Sequence, residues 1–190
     1  AEYYGKLSAK VKQVYAKHFI NDNGVIRNGR QAPNVRALEF GLCTEEQRQK
    51  VADALAEMVR QQDYHLNTGF LSTPYILHVL TEHGYTDIAF KLLEQESAPS
   101  WLRNVVLGAT TIPENWTGYE QIKSSFNHYA FGAVCDFLFS GVAGIRPVLE
   151  SPGYKHFEIR PVVGGSLTEA SATYESIYGT IRSSWSKGDG

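Results

Sequence analysis

NTGFLSTPYILHVLTEHGYTDIAFKLL, residues 67–93, carries the strongest structural pattern in this sequence. Apolar residues recur in it at spacings of three and four, which is the pattern of helices with one buried face. Ser72 followed by Pro74 predicts the start of a first helix, and Gly84 predicts its end. Thr86 comes only two residues later and is predicted to cap a second helix. Helices joined so closely must run antiparallel, so the stretch predicts a helical hairpin.

Helical periodicity continues on both sides of this hairpin. Residues 4–18 place apolar side chains on one stripe, and Thr44 to Gln47 form a capping-box pattern that opens another helix. A last helix is predicted over about residues 125–140. These segments together predict a row of helical hairpins, of the kind that builds a helical toroid.

The hydrophobic period then changes to an alternation of every second residue. YKHFEIRPVV, LTEASATYES and GTIRSSW predict antiparallel strands, and the last of them places Ile181, Ser183 and Trp185 on one face. Prolines in residues 144–153 interrupt the helical pattern before these strands. We therefore predict a mainly α fold in two parts. Residues 1–145 belong to an (α/α) toroid domain, and residues 146–190 begin an antiparallel β-sandwich domain.

The composition is ordinary for a globular protein and argues against two classes of partner. Hydrophobic residues make up 43%, charged residues 20%, and the formal net charge is −2. Acidic and basic residues are scattered without a basic stripe, so we expect no nucleic acid as a partner. No apolar run approaches the ~20 residues that span a bilayer, so we expect no membrane. No metal-ligand spacing is visible, and we expect no cofactor.

The cysteines leave two readings open. Cys43 and Cys135 lie far apart in the sequence. They are either two buried thiols, which we favour, or one long-range disulfide.

Glu114 is the acid best placed for chemistry. It lies in the loop GATTIPENWTGYEQ, residues 108–121, whereas most other acids lie on helix starts or polar faces. Sugar hydrolysis commonly needs carboxyl groups beside the scissile bond. In such a cleft Glu114 would activate water, Trp116 would exclude solvent and Asn115 would hold hydroxyls. The alternative is a surface loop whose tryptophan packs on a helical hairpin.

A second polar cluster lies in SFNHYAFG, residues 125–132. It places Asn127 and His128 at the start of the predicted last helix, where polar side chains can face a central cleft. A lone histidine there is more often structural. Phe70, in the loop before the residue 72 helix, is predicted to plug the core rather than line a pocket.

These motifs follow one another in the order seen in the α-L-rhamnosidases of glycoside hydrolase family 78, which the chain resembles. The resemblance covers nearly the whole chain and is strongest over residues 68–145, through residues 67–93, GATTIPENW, SFNHYAFGAVCDFLF and VAGIRP. It implies the C-terminal half of a toroid of six helix pairs and the start of a C-terminal β-sandwich, from a bacterial enzyme. The implied partner is a rhamnose-containing glycoside or polysaccharide. Either the cytoplasm or an exported location fits.

The resemblance also assigns roles to individual residues. Family members release terminal L-rhamnose with inversion, using one glutamic acid as general acid and another glutamate as general base. Glu114 occupies the position of the base in the family motif T-T-I-W-E-R-W, and Trp116 matches its second tryptophan. His128 matches the histidine of N-H-Y-A-F-G, which contacts the rhamnose ring. We expect Asn127 to hold a hydroxyl beside it.

Three departures from the family pattern affect these expectations. Pro113 stands where the family usually has tryptophan, and the segment between Trp116 and Ser125 is shorter than in many relatives. No stretch resembles the first half of the toroid, which carries the general acid. We therefore expect the isolated chain to be inactive and to need that missing N-terminal half as its partner.

Two other functions fit the same residues less well. A polysaccharide lyase on a similar toroid would abstract a proton with Asn127, His128 and Tyr129. A non-catalytic carbohydrate-binding or scaffold domain would share the fold without the chemistry, because a fold does not dictate function.

Overall fold

The computed structural model describes residues 2–116 and 124–188, which belong to two compact units. The first unit, Ala1–Gly132, is helical, and the second, Ala133–Gly190, contains the strands. The last helical residues fall in the second unit because they contact its first strand, β1 (Ile145–Pro147). The domain boundary at residues 145 and 146 stays a prediction.

The helices of the first unit follow the predicted periodicity along most of the described chain. Thr44 caps α3 as predicted: its hydroxyl accepts a hydrogen bond from the Gln47 backbone N–H at 3.2 Å. The Gln47 side-chain oxygen accepts one from the Thr44 backbone N–H at 3.2 Å, which completes the capping box. The helices are α1 (Glu2–Phe19), α2 (Gln31–Glu39), α3 (Glu45–Gln61), α4 (Ile76–Glu82), α5 (Thr86–Leu93), α6 (Trp101–Val106) and α7 (Tyr129–Gly132).

The predicted hairpin is formed by α4 and α5, which contact each other across a short turn. Gly84 lies in this turn with a φ of +88°, a conformation that glycine adopts without steric cost. Both helices bury their apolar faces, including Ile76 and Leu80 on α4 and Ile88 and Phe90 on α5. Burying one such side chain stabilises the fold by about 1.5–3 kcal/mol, so these faces hold the hairpin together.

The first helix of the hairpin begins later than predicted. α4 begins at Ile76, so the predicted start at Ser72 and Pro74 is wrong. The Ser72 hydroxyl instead donates to the Ala32 carbonyl at 3.2 Å and tethers the preceding turn to α2. Thr86 is likewise the first residue of α5 and not its cap.

The helix predicted over residues 125–140 is also wrong in its bounds. Residues 124–128 are not helical, because the Ser125 carbonyl and the His128 N–H bond to the preceding loop and both backbone groups of Asn127 bond to the Ser125 hydroxyl. After α7 and a break, the second unit opens with α8 (Val134–Asp136) and a π-helix (Phe137–Val142).

The apolar stripe of α1 is largely uncovered within the described residues. Leu7, Val11 and Val14 are about half exposed, and Ala16 is the residue that α1 buries there. The predicted periodicity is therefore present, but the described chain does not provide the surface that would cover it. Among the described residues, no helix is long and apolar enough to cross a membrane.

The strands of the second unit form two antiparallel pairs. β1 pairs with β2 (Phe157–Ile159), and β3 (Glu169–Ser176) pairs with β4 (Gly179–Ser186). The predicted face of β4 is confirmed, since Ile181 and Ser183 are buried and Trp185 is partly buried. The Ser183 hydroxyl donates to the Ala143 carbonyl at 2.6 Å, and the Trp185 indole N–H donates to the Val142 carbonyl at 2.8 Å. These bonds tie the hairpin to the end of the π-helix.

Both cysteines are free, and they differ in exposure. Cys43 is partly buried, and its thiol donates to the Ala37 carbonyl at 3.6 Å. Cys135 is exposed, so the expectation that both thiols are buried is wrong for this residue. No disulfide joins the pair.

The two thiols are expected to react with an aromatic disulfide reagent at very different rates. Burial raises the pKa of Cys43 to about 11, which leaves about one thiolate in a thousand at pH 8. At that pH, peptide mass spectrometry of the briefly labelled native chain should find the reagent on Cys135. After unfolding in denaturant, both thiols should be labelled. Equal labelling of the native thiols would contradict the structure around Cys43.

Candidate active site

Two chain segments, residues 110–116 and 124–128, bring the predicted site residues together in the first unit. Hydrogen bonds between backbone groups, and one bond donated by a threonine hydroxyl, hold the two segments to each other. The Glu114 N–H donates to the Ser125 carbonyl (2.9 Å), and the His128 N–H donates to the Ile112 carbonyl (2.8 Å). The Thr111 hydroxyl donates to the Phe126 carbonyl (2.6 Å).

Glu114 is exposed, and its carboxylate is oriented by the backbone. Its Oε2 accepts a hydrogen bond from the Ser125 N–H at 3.1 Å, while the buried Pro113 stiffens the chain before it. Within the described residues, no hydrogen bond reaches Oε1. One carboxylate oxygen is thus anchored, and the other is available to a proton donor such as water.

His128 is partly buried among aromatic rings. Its ring lies 5.0 Å from Phe131, 5.7 Å from Tyr129 and 6.2 Å from Phe70, measured between ring centroids. The Tyr129 ring is nearly parallel to it, at an interplanar angle of 7°. Nδ1 of His128 is buried, and no described residue bonds to it. A buried ring nitrogen without a hydrogen-bond partner costs free energy.

Trp116 is anchored on the helical part of the unit. Its ring stacks on Phe131 at a centroid distance of 4.1 Å and meets the edge of Trp101 at 5.8 Å. The indole N–H donates to the Thr68 carbonyl at 3.4 Å. These contacts pack Trp116 against α6 and α7, and Phe131 is also a ring neighbour of His128.

Asn127 is exposed at the turn between Ser125 and His128. Its backbone N–H donates to the Ser125 hydroxyl at 3.2 Å, and its carbonyl accepts from that hydroxyl at 3.1 Å. No described residue bonds to its side-chain amide. Phe70 is half exposed and a ring neighbour of His128, so the prediction that it plugs the core is wrong.

Gln31 supports the loop that receives the Trp116 indole, and sequence reasoning missed it. Its side chain is fully buried, and its amide donates to Gln62 Oε1 at 3.0 Å and to the His65 carbonyl at 2.9 Å. Its oxygen accepts from the Asn67 N–H at 2.8 Å, one residue before Thr68. These bonds span more than thirty residues of sequence, so no local pattern could reveal them.

No group of three or more histidine, cysteine or acidic side chains in residues 2–116 and 124–188 is arranged to hold a metal ion. The side chains described above are those of hydrolytic and sugar-binding sites: an oriented carboxylate, a histidine and aromatic walls.

Comparison with known families identifies the family of the chain. The profile of the bacterial α-L-rhamnosidase six-hairpin glycosidase domain matches residues 1–142, and that of the bacterial α-L-rhamnosidase C-terminal domain matches residues 144–190. The chain belongs to the bacterial α-L-rhamnosidase family. The family resemblance stated from the motifs is thereby confirmed.

Individual α-L-rhamnosidases match the chain along most of its length. The enzyme of Streptomyces avermitilis is 34% identical over 98% of this chain and 19% of its own length. An enzyme of Formosa agariphila is 38% identical over 86% of this chain and 19% of its own. The chain thus spans about a fifth of the length of these relatives.

Solved α-L-rhamnosidase structures share the fold. The crystal structure of the Streptomyces avermitilis enzyme, which is complexed with L-rhamnose, matches with a TM-score of 0.92 at 34% identity. It covers 98% of this chain and 19% of that enzyme. The structure from Aspergillus terreus matches with a TM-score of 0.90 at 33% identity, over 98% of this chain and 22% of that one. The predicted fold class, six-hairpin helices followed by antiparallel strands, is confirmed.

Proposed function

We propose that this chain is part of an inverting α-L-rhamnosidase and that Glu114 is the general base of that enzyme. The observation that carries the proposal is the carboxylate of Glu114, anchored through Oε2 by the Ser125 N–H. It projects from the same pair of segments that holds His128. Membership of the rhamnosidase family supplies the reaction class.

In this mechanism Glu114 takes a proton from a water molecule as that water attacks the anomeric carbon. The attack comes from the face opposite the leaving group, and the carboxyl groups of inverting enzymes stand about 6.5–9.5 Å apart to admit the water. Glu114 must therefore be ionised while its acid partner is protonated. Oε1, to which no residue of 2–116 or 124–188 bonds, is the atom suited to receive the proton.

The other residues of the site hold the sugar. His128 and Asn127 bind ring hydroxyls, His128 by its match to the histidine of the family motif and Asn127 as its exposed neighbour in the chain. Trp116, fixed on Phe131, forms a wall that excludes water from the side of the base. Excluding solvent strengthens the electrostatic interactions within such a site.

The general acid belongs to the part of the parent enzyme that this chain does not contain. We expect the purified 190-residue chain to release no phenol from an aryl α-L-rhamnoside above the rate of a buffer blank. An inverting mechanism needs both carboxyl groups. A rate in the pure chain that disappears in its Glu114→Gln variant would show that the acid lies within it.

The proposed function is tested by incubating the full-length parent with an aryl α-L-rhamnoside. Release of the phenol, with β-L-rhamnose as the first anomer seen by proton NMR, would support an inverting rhamnosidase. The α anomer would contradict inversion. An unsaturated, ultraviolet-absorbing product from a rhamnose-containing polysaccharide would favour a lyase instead, and saturable sugar binding without turnover would favour a scaffold domain.

A further inference from the structure

A groove of about 380 Å³ opens beside His128 in the first unit. Phe70 and Tyr129 line it, and the same two rings are neighbours of the His128 imidazole. The groove therefore shares two of its lining rings with the surroundings of His128, the residue that holds the sugar in the proposed function. Its volume lies within the roughly 300–1,000 Å³ of small-ligand sites.

The walls of this groove present flat apolar surfaces. Phe40 and Tyr75 form an edge-to-face pair at a centroid distance of 5.8 Å, and Leu71 adds aliphatic surface. Phe40, Phe70 and Leu71 are each at least half exposed. Aromatic faces left open in a concave site suit a flat ring, either an aryl group or the apolar face of a pyranose.

Arg36 brings a positive charge into this otherwise uncharged lining. It projects from α2, is partly buried, and pairs with no carboxylate of the described residues. A guanidinium presents a planar fork of N–H donors that matches a carboxylate with two parallel hydrogen bonds. The lining thus combines a ring-binding wall with an anion-binding group.

We propose that this groove binds the leaving-group side of the substrate, and that the leaving group is a ring bearing a carboxylate that Arg36 recognises. A uronic acid residue and an aromatic acid both have this chemistry. The inference rests on the proposed function, because it takes His128 as the sugar-binding end of the site. It goes beyond the proposed function in two respects: Arg36 determines specificity, and the preferred substrate carries a negative charge.

The test compares matched acid and ester substrates in the full-length parent. One pair is 4-carboxyphenyl α-L-rhamnoside and its methyl ester, and the other is an α-L-rhamnosyl uronic acid and its methyl ester. Each pair differs in one negative charge, and leaving-group effects cancel when variant and wild type are compared on the same substrate. Arg36→Gln is the test variant. Arg48→Gln, which removes an arginine of α3 paired with Glu45 at 2.8 Å, is the control for loss of charge.

In Arg36→Gln, kcat/KM for at least one acid should fall about tenfold or more, with its ester changed less than about twofold. If the preference for acid over ester is lost only in the uronic acid pair, the leaving group is a sugar acid. If it is lost only in the aryl pair, the leaving group is an aromatic acid. Equal changes for acid and ester, or no change, would overturn the proposal while leaving the rhamnosidase function intact. The same acid-selective loss in Arg48→Gln would also overturn it. A wild-type parent that hydrolyses none of the four substrates would remove the proposed function and this inference with it.

Discussion

Replacing Glu114 by glutamine in the parent enzyme is expected to lower kcat about 10²–10⁴-fold and to leave KM within a few-fold. The amide has the shape of the carboxylate and can still accept the Ser125 N–H bond, which is 3.1 Å long in the native chain. It cannot take a proton from the attacking water. The loss is therefore one of transition-state stabilisation, with ground-state binding kept.

The measurement is steady-state hydrolysis of an aryl α-L-rhamnoside over a range of pH. The acidic limb of the kcat/KM profile reports ionisation of the base, so it should disappear in Glu114→Gln. Glu46→Gln, a change at an exposed helix start, is the matched control and should retain wild-type kinetics. An unchanged kcat in Glu114→Gln would show that another group activates the water.

Gly24→Ala is expected to destabilise the first unit by about 2–5 kcal/mol, the sum of left-handed backbone strain and overpacking. Gly24 has a φ of +75°, and a Cβ there would lie 2.2 Å from the Lys50 carbonyl oxygen. Its own carbonyl accepts a hydrogen bond from the buried Asn34 amide at 2.9 Å, and that amide also bonds to the Val51 carbonyl at 3.1 Å. The turn therefore cannot move away from α3 without breaking the Asn34 bridge.

The Gly84→Ala variant separates the cost of backbone strain from the cost of overpacking. Gly84 has a φ of +88°, but a Cβ there would meet no atom within 4 Å. It should cost the strain alone, about 1–2 kcal/mol. Thermal unfolding of the two variants in the same background should therefore show the lower midpoint for Gly24→Ala, by roughly 2–4 °C for each kcal/mol of difference. Equal midpoints would mean that the turn relaxes without cost.

The parts of the fold that the sequence predicts are those governed by neighbouring residues. The capping box at Thr44, the hairpin around Gly84 and the buried face of β4 each depend on residue types within a few positions. The predicted start of the helix over residues 125–140 is wrong because periodicity counts apolar positions and ignores competing hydrogen bonds. Ser125 and His128 give their backbone groups to the preceding loop, which no periodic pattern can show.

The candidate site likewise contains residues that the sequence predicts and residues that it does not. Glu114 is predicted because an acid beside asparagine and tryptophan in a loop suits a glycosidase cleft, and because it falls on a family motif. Gln31 and the partners of Trp116 were not found, since their contacts join distant segments. The roles of Glu114, Trp116, Asn127 and His128 stay predictions until the parent enzyme is assayed.

The hydrogen bonds between the two segments of the candidate site fix the position of Glu114 relative to Ser125 and of Ile112 relative to His128. Glu114 and Ser125 exchange two bonds, and the Trp116 indole is tied to Thr68. Because these bonds are made largely by backbone groups, evolution or an engineer could change the side chains around Glu114 and keep its carboxylate oriented.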